Sequence, residues 1–237
     1  MATCLVDMFY PEVGVSLVRL LRRLGVTVDF PGPQTCCGLP LFNSGYHRDA
    51  RRVALRAIKL FAGSEHVVVP SGSCAWMMKK EYPRLVQDDA RARAEAEALA
   101  GRTYELSQFL VNVLKITSTE TSFKGRVTYH DSCHLLRGLG ESRSPRTLLL
   151  NTAGVEFVEL PGADECCGFG GSFSVRLPEV SAAILAKKLV NVEATGADCL
   201  VACDAGCLLQ MDGGLSRNGS RVKAVHLSQI LAGTDGR

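Results

Sequence analysis

The 237-residue sequence has no long apolar run, little aromatic surface and no large excess of either charge. Stretches such as His66-Val67-Val68-Val69-Pro70 stop far short of the roughly 20 apolar residues of a membrane helix, so no membrane span is expected. The chain opens Met1-Ala2-Thr3-Cys4 with an acid at Asp7, not with a basic segment and an apolar run, which argues against a signal peptide. The expected compartment is therefore the reducing cytoplasm. There is one Trp, there are five Tyr, and the net charge is only +3. Basic residues such as Arg51, Arg52, Arg56 and Lys59 are spread over helix faces without aromatic neighbours, so nucleic-acid binding is not expected.

Cysteine is what the chain has in quantity: ten residues, most of them in a repeated pattern. Cys36-Cys37-Gly38 is echoed by Cys166-Cys167-Gly168. Cys4 lies 32 positions before Cys36, and Cys133 lies 33 before Cys166. Cys74 and Cys207 close the two sets, each just after a glycine-containing turn. An internal repeat of this kind reports a duplicated structural unit. In a reducing compartment, clustered thiols point to metal or redox chemistry before structural disulfides. Cys199, outside the pattern, reads as a buried small hydrophobe.

Residues 3–7 read as a first strand, and Val13 to Leu24 as an amphipathic helix closed by Gly25. Val26 to Phe30 alternates as a second strand, and Pro31-Gly32-Pro33 breaks it before the first cysteine pair. A helix from Arg48 to Phe61 leads to a short buried strand, His66 to Val69, with Cys74 beyond its end. The Ala/Arg/Glu-rich stretch from Ala90 reads as a surface helix, followed by a second helix from Tyr104 to Leu114. Ile116 to Lys124 reads as a linker. The second half restarts with strands at 126–130, 155–160, 199–203 and 222–225, and helices at 144–150, 179–193, from Leu208, and 227–231. The expected fold is α/β: two similar parallel-sheet βαβ domains, residues 1–120 and 121–237, related by internal duplication and a pseudo-twofold. The thiols then fall at the carboxyl edges of the strands, where open α/β sheets hold ligands.

Adjacent cysteines do not readily close a disulfide with each other, but they can offer two thiolates to one centre. Cys4, Cys36, Cys37 and Cys74 in one half, and Cys133, Cys166, Cys167 and Cys207 in the other, match the ligand count of a zinc site or an iron-sulfur cluster. Ligand count does not choose between iron and zinc. Metal-free thiol-disulfide chemistry is a third reading, because Cys74 and Cys207 fall at expected helix N-termini. His130 and His134 flank Cys133 without counterparts at Cys4; they read as a strand end and a helix start, with tuning of the second site as the alternative. Asp131 and Asp204 read as orienting neighbouring amides and capping helices. Gly168-Phe169-Gly170-Gly171 follows a cysteine pair and does not read as a dinucleotide fingerprint.

The motifs Cys36-Cys37-Gly38-Leu39-Pro40, Ser71-Gly72-Ser73-Cys74, Tyr129-His130-Asp131-Ser132-Cys133-His134, Glu165-Cys166-Cys167-Gly168-Phe169-Gly170-Gly171 and Asp204-Ala205-Gly206-Cys207-Leu208 resemble those of the cysteine-rich, or CCG-domain, family. That family includes a cysteine-rich subunit of heterodisulfide reductase, the iron-sulfur subunit of glycolate oxidase and small lactate-utilization proteins. The resemblance implies two α/β halves with sites near their interface, and one iron-sulfur cluster per half. It also implies a cytoplasmic electron-transfer role in oxidising L-lactate to pyruvate, beside a cubane iron-sulfur protein and a third subunit of a lactate utilization complex. An oxidoreductase subunit that needs partner proteins is thus the expectation, with a metal-free thiol-disulfide oxidoreductase or a structural zinc or assembly protein as alternatives. No catalytic acid-base set is identified. In the heterodisulfide reductase relative each motif ends in a fifth cysteine, whereas Met77 and Gln210 stand at those places here. The second half carries His130, His134, Cys203 and the richer glycine loop, and is expected to hold the more reactive centre.

Overall fold

Thr3 decides how the chain begins. In the computed structural model, which describes residues 1–233, its hydroxyl accepts from Val6 N at 3.4 Å and caps helix α1 (Cys4–Phe9). The strand expected at residues 3–7 is therefore a helix, and Cys4 is its first residue. Pro11, pre-set for a first helical turn, then starts α2 (Pro11–Arg23). Its apolar face buries Val13, Leu17, Leu20 and Leu21. Gly25, at φ +78°, lets Val26 N return to Leu21 O at 3.0 Å and ends the helix. Residues 26–30 form no strand. They follow this turn without a neighbouring strand to pair with among the described residues, although Val26 and Val28 still pack on the core.

The first half continues through α3 (Leu39–Asn43) and α4 (His47–Leu60) to strand β1 (Val67–Val69) and α5 (Gly72–Trp76). A π-helical turn, Met77–Glu81, leads into α6 (Tyr82–Leu85) and then α7 (Ala90–Gly101). Asp89 caps α7, accepting from Arg91 N and Ala92 N. The helix expected from Tyr104 instead opens with strand β2 (Thr103–Glu105), which runs parallel to β1 with Val67 opposite Thr103. Helix starts only after Glu105, because that carboxylate caps α8 (Leu106–Gln108). A π-helical turn, Phe109–Val113, completes the segment.

The expected linker is shorter than 116–124, since strand β3 (Ser122–His130) takes its last residues. Then come a π-helical turn, His134–Gly138, α9 (Arg143–Leu150) and β4 (Ala153–Phe157). Helices α10 (Ser172–Arg176) and α11 (Pro178–Ala194) follow the second cysteine pair, and β5 (Cys199–Ala202), α12 (Ala205–Arg217), β6 (Lys223–His226) and α13 (Leu227–Ala232) finish the fold. The second sheet has the order β4-β3-β5-β6 and is parallel throughout. Each cysteine-rich half thus has a parallel sheet with helices around it, as duplicated βαβ units require.

The second sheet ends evenly, and its core is shared with the first half. His130, Ala202 and His226 are in register at the ends of β3, β5 and β6. The core also passes between the halves, because Leu17, Leu20 and Leu21 of α2 join Val127, Tyr129, Val201 and Val225 of the second sheet. Arg23 closes this contact by donating to Leu231 O at 2.8 Å.

Candidate functional site

All eight repeated cysteines face one cavity of about 180 Å³, at the edge where the two halves meet. Each set is assembled from three separate stretches of chain. Cys4 begins α1, Cys36 and Cys37 lie in the loop before α3, and Cys74 sits in the first turn of α5. Cys133 precedes a π-helical turn, Cys166 and Cys167 lie in the loop before α10, and Cys207 sits in the first turn of α12. All ten cysteines are free thiols. Cys199 and Cys203 are buried in the core and do not line the cavity. Cys203 instead lies near Tyr129 and Glu105, and burial pushes its thiol well up.

The thiols are linked in short chains. Cys4 Sγ donates to Cys36 Sγ at 3.6 Å, and Cys37 Sγ to Cys74 Sγ at 3.2 Å. The second half repeats the pairings, Cys133 with Cys166 and Cys167 with Cys207. Backbone amides aim at the same sulfur in each copy: Gly38 N lies 3.4 Å from Cys36 Sγ, and Gly168 N 3.3 Å from Cys166 Sγ. These donors hold Cys36 down to about 3, chiefly through Cys37 and then Cys4. They hold Cys166 down to about 2, chiefly through Cys133 and then Cys167. The donating thiols move the other way. Cys4 and Cys133 are raised first by those same hydrogen bonds and then by burial. Cys37 and Cys167 are raised for the same reasons. Cys207 is lowered to about 7, first through its hydrogen bond with Cys167 and also through His130, against burial and the charge of Asp204. Each half therefore presents one anchoring thiolate, Cys36 or Cys166, beside two thiols that are raised: Cys4 and Cys37 in the first half, Cys133 and Cys167 in the second.

The cysteine loops are pinned from behind. Tyr82 Oη donates to Cys37 O at 2.9 Å, and Ser181 Oγ to Gly168 O at 2.8 Å. Gly38 and Gly168 both take left-handed backbone, at φ +87° and +90°. At Gly168 a Cβ would stand 2.6 Å from Ser181 O, so only glycine brings this loop so close to α11.

Across the edge, the halves are tied by polar contacts that the sequence did not announce. Gly72 N donates to Cys203 O at 2.9 Å. Asp204 caps α12, accepting from Gly206 N at 3.0 Å, and its other oxygen accepts from Ser71 Oγ and Ser73 N of the first half. His226 Nε2 donates to Pro70 O at 3.1 Å while its Nδ1 accepts from Ser228 N at 3.0 Å. Asp131 caps no helix; it accepts a two-pronged contact from Arg146 at 2.8 Å, which ties β3 to α9. The His134 ring lies against Trp76 across the same edge, tilted by 46° with ring centroids 4.7 Å apart.

Neither place expected of a fifth cysteine supplies a thiol. Met77 is fully buried in the first-half core. Gln210 Nε2 donates to Ser181 Oγ at 2.9 Å, so it braces the second cysteine loop. His130 lies behind Cys167 and Cys207, and the ligand atoms of these three residues are all within 4.8 Å of one another. The donor set suits a thiophilic metal or cluster: sulfur ligands, amides turned toward sulfur, and dry walls.

The family described as "Cysteine-rich domain" (CCG) matches residues 1–79 and 127–212. Lactate utilization protein A of Halalkalibacterium halodurans is 48% identical over 229 residues, covering 97% of this chain and 93% of that protein. The protein of the same name from Bacillus subtilis is 47% identical, covering 97% of this chain and 96% of that protein. The one from Geobacillus thermodenitrificans is 46% identical, at 97% and 95%. No helix among the described residues is long and apolar enough to cross a membrane.

Proposed function

The chain belongs to the cysteine-rich CCG-domain family, and from that premise we propose that it is an electron-transfer subunit of a complex oxidising L-lactate to pyruvate. The observation that carries this reading is the opening of two matched thiol quartets onto one cavity. In the first half Cys4, Cys36, Cys37 and Cys74 would hold one iron-sulfur cluster. In the second, Cys133, Cys166, Cys167 and Cys207 would hold another. Such clusters supply one-electron uptake and release at potentials tuned by hydrogen bonds to sulfur and by burial. The chain's own part is to present Cys36 and Cys166 as thiolates, to aim Gly38 N and Gly168 N at them, and to keep water out. The copies are taken as residues 1–120 and 121–237, related by a pseudo-twofold. The matched placement of Cys36 and Cys166, each lowered and each facing a glycine amide two residues on, supports that division.

Taking two electrons and two protons from lactate, the α-hydrogen and the hydroxyl proton, needs a base and an anchor for the carboxylate. The cavity offers thiols, hydroxyls, His134 and Asp204, and an anionic substrate gains little there. The lactate step is therefore assigned to partner proteins in the cytoplasm, a cubane iron-sulfur protein and a third subunit. Anaerobic purification followed by iron and acid-labile sulfide analysis tests the reading. Iron and sulfide in equal amounts are expected, with Cys36→Ser and Cys166→Ser each removing about half, as one four-thiolate cluster per half requires.

A structural zinc role is the second reading. Four thiolates at about 2.3 Å from one tetrahedral ion lie about 3.8 Å apart, close to the 3.6 Å between Cys4 and Cys36. Tightly bound zinc without iron or sulfide would replace the first reading by this one. Rapidly alkylated thiols in chelated protein would favour the metal-free disulfide alternative instead.

A further inference from the structure

His130 is fully buried at the end of β3, and neither ring nitrogen has a hydrogen-bond partner of normal geometry. Leaving a buried polar group unpaired costs about 1–3 kcal/mol, so an imidazole with two orphaned nitrogens needs a compensating partner. The register with Ala202 places it at the base of the turn that carries Cys207. Its ligand-type neighbours are the sulfurs of Cys167 and Cys207, within 4.8 Å. Ser132, two residues on, also has a buried and unpartnered Oγ, and it lines the cavity. The first half has no equivalent imidazole, because Met1 stands three residues before Cys4. His134 differs in kind, since its ring is taken up by Trp76.

We propose that His130 is a nitrogen ligand of the second-half metal centre, so that the two centres differ in donor set although their cysteines match. The inference rests on the metal-centre reading above. One ring nitrogen would give its lone pair to the metal, and the imidazole binds in its neutral form. Metal binding then pairs a nitrogen that the protein alone leaves bare. It also gives the centre a neutral donor that the first-half thiolate set lacks. Adding neutral imidazole to a thiolate set favours the reduced state, as histidine ligands do in other iron-sulfur centres.

The test uses the full chain loaded in two ways. With iron and sulfide under argon, pulsed electron paramagnetic resonance of the reduced protein labelled with ¹⁵N-histidine should show a strongly coupled nitrogen. His130→Gln should abolish that coupling, and His134→Gln should leave it in place. With cobalt(II), X-ray absorption should show a Co–N contact that His130→Gln removes. Cobalt affinity of the second half should fall at least about tenfold, since even groups outside the ligand shell change affinity by that much. Circular dichroism confirms that each variant is folded, and His130→Cys provides a second substitution that keeps a donor at the position. It should restore cobalt affinity while removing the nitrogen signal. Normal iron loading without coupled histidine nitrogen would overturn this inference and leave the iron-sulfur reading intact. A Co–N contact in protein that takes up no iron would do the reverse. Cobalt bound by sulfur alone, or not bound, overturns the inference directly.

Discussion

Asp204 accepts hydrogen bonds from Ser71 Oγ at 2.9 Å and from Ser73 N at 2.8 Å, which makes one carboxylate the joint between the two cysteine-bearing helix N-termini. Its other oxygen caps α12 through Gly206 N and Cys207 N. The same side chain therefore positions Cys74 from across the interface and Cys207 from its own helix. Its position is 5% exposed, so water contributes little to satisfying it.

Asp204→Asn tests this joint with almost no change of volume. An amide in place of Oδ2 turns a donor toward two donors, leaving Ser73 N unpaired. Hydrogen bonds to a charged acceptor contribute about 1.5–3 kcal/mol, so a loss of about 2 kcal/mol or more is expected. Urea unfolding reads it as a lower midpoint at unchanged slope. An unchanged midpoint would mean the contact is not holding the halves together.

The cysteine loops should respond unequally to the same substitution. Gly38 and Gly168 share left-handed backbone, and alanine in that region costs about 1 kcal/mol or more. At Gly38 the new methyl would meet Val53 side-chain atoms from 3.4 Å and Ala50 O at 3.6 Å, all ordinary contacts. At Gly168 it would meet the Ser181 carbonyl at 2.6 Å, forcing the loop off α11. Gly168→Ala should therefore destabilise more than Gly38→Ala and strip metal selectively from the second half. Thermal unfolding with metal analysis compares the two, and equal losses would contradict the packing account.

Several elements were legible from local pattern alone. The strand ending at Val69, the buried strand from Cys199 and the helices at α4 and α11 follow from unbroken apolar runs or a 3.6-residue period. The cysteine spacing likewise identified the eight thiols that now face one cavity. The misread segments turned on side-chain oxygens. Thr3 capped α1 where the β-branched composition suggested a strand, and Glu105 delayed α8 so that Thr103–Glu105 could pair with β1. Val26 to Phe30 has strand composition but, among the described residues, no strand beside it, a fact of packing that no local window contains. For the same reason the sequence could not reveal that Asp204 meets Ser71, 133 positions away, or that His130 has no ordinary partner.

Glu105 provides a pH-dependent signature outside the thiol sites. It is fully buried, its Oε2 accepts from Ser107 N at 2.8 Å and its Oε1 has no partner. Burial raises it from 4.5 to about 7, against the Ser107 hydrogen bonds. An acid raised in the folded state keeps a proton there that the unfolded chain has already lost. Its contribution to stability is thus fullest below the unfolded value, and falls as pH rises toward 7. The fall is about 3 kcal/mol over that window. Glu105→Gln stays neutral throughout, so the difference between the two proteins isolates this group from the thiols. Urea unfolding at about pH 5 and about pH 7.5 should show the wild type losing ground to Glu105→Gln at the higher pH, by linkage. Parallel pH profiles would show that the carboxyl is not titrating in its buried position.

The two places where a fifth cysteine is absent make opposite predictions. Gln210 reaches Ser181, which in turn reaches Gly168 O, so a chain of two hydrogen bonds runs from α12 through α11 to the second cysteine loop. Gln210→Ala removes the outer link and frees the loop that presents Cys166 and Cys167. Losing a support behind a ligand typically lowers metal affinity about tenfold to a hundredfold, and that loss is expected in the second half alone. Met77 is buried in the first-half core, so Met77→Leu keeps its volume and should cost less than about 1.5 kcal/mol. It should also leave metal retention in the first half unchanged. Competition of each loaded variant against a graded chelator separates the cases. Selective first-half metal loss in folded Met77→Leu would mean that the thioether reaches the metal, and would refute the placement of Met77 as a core residue only.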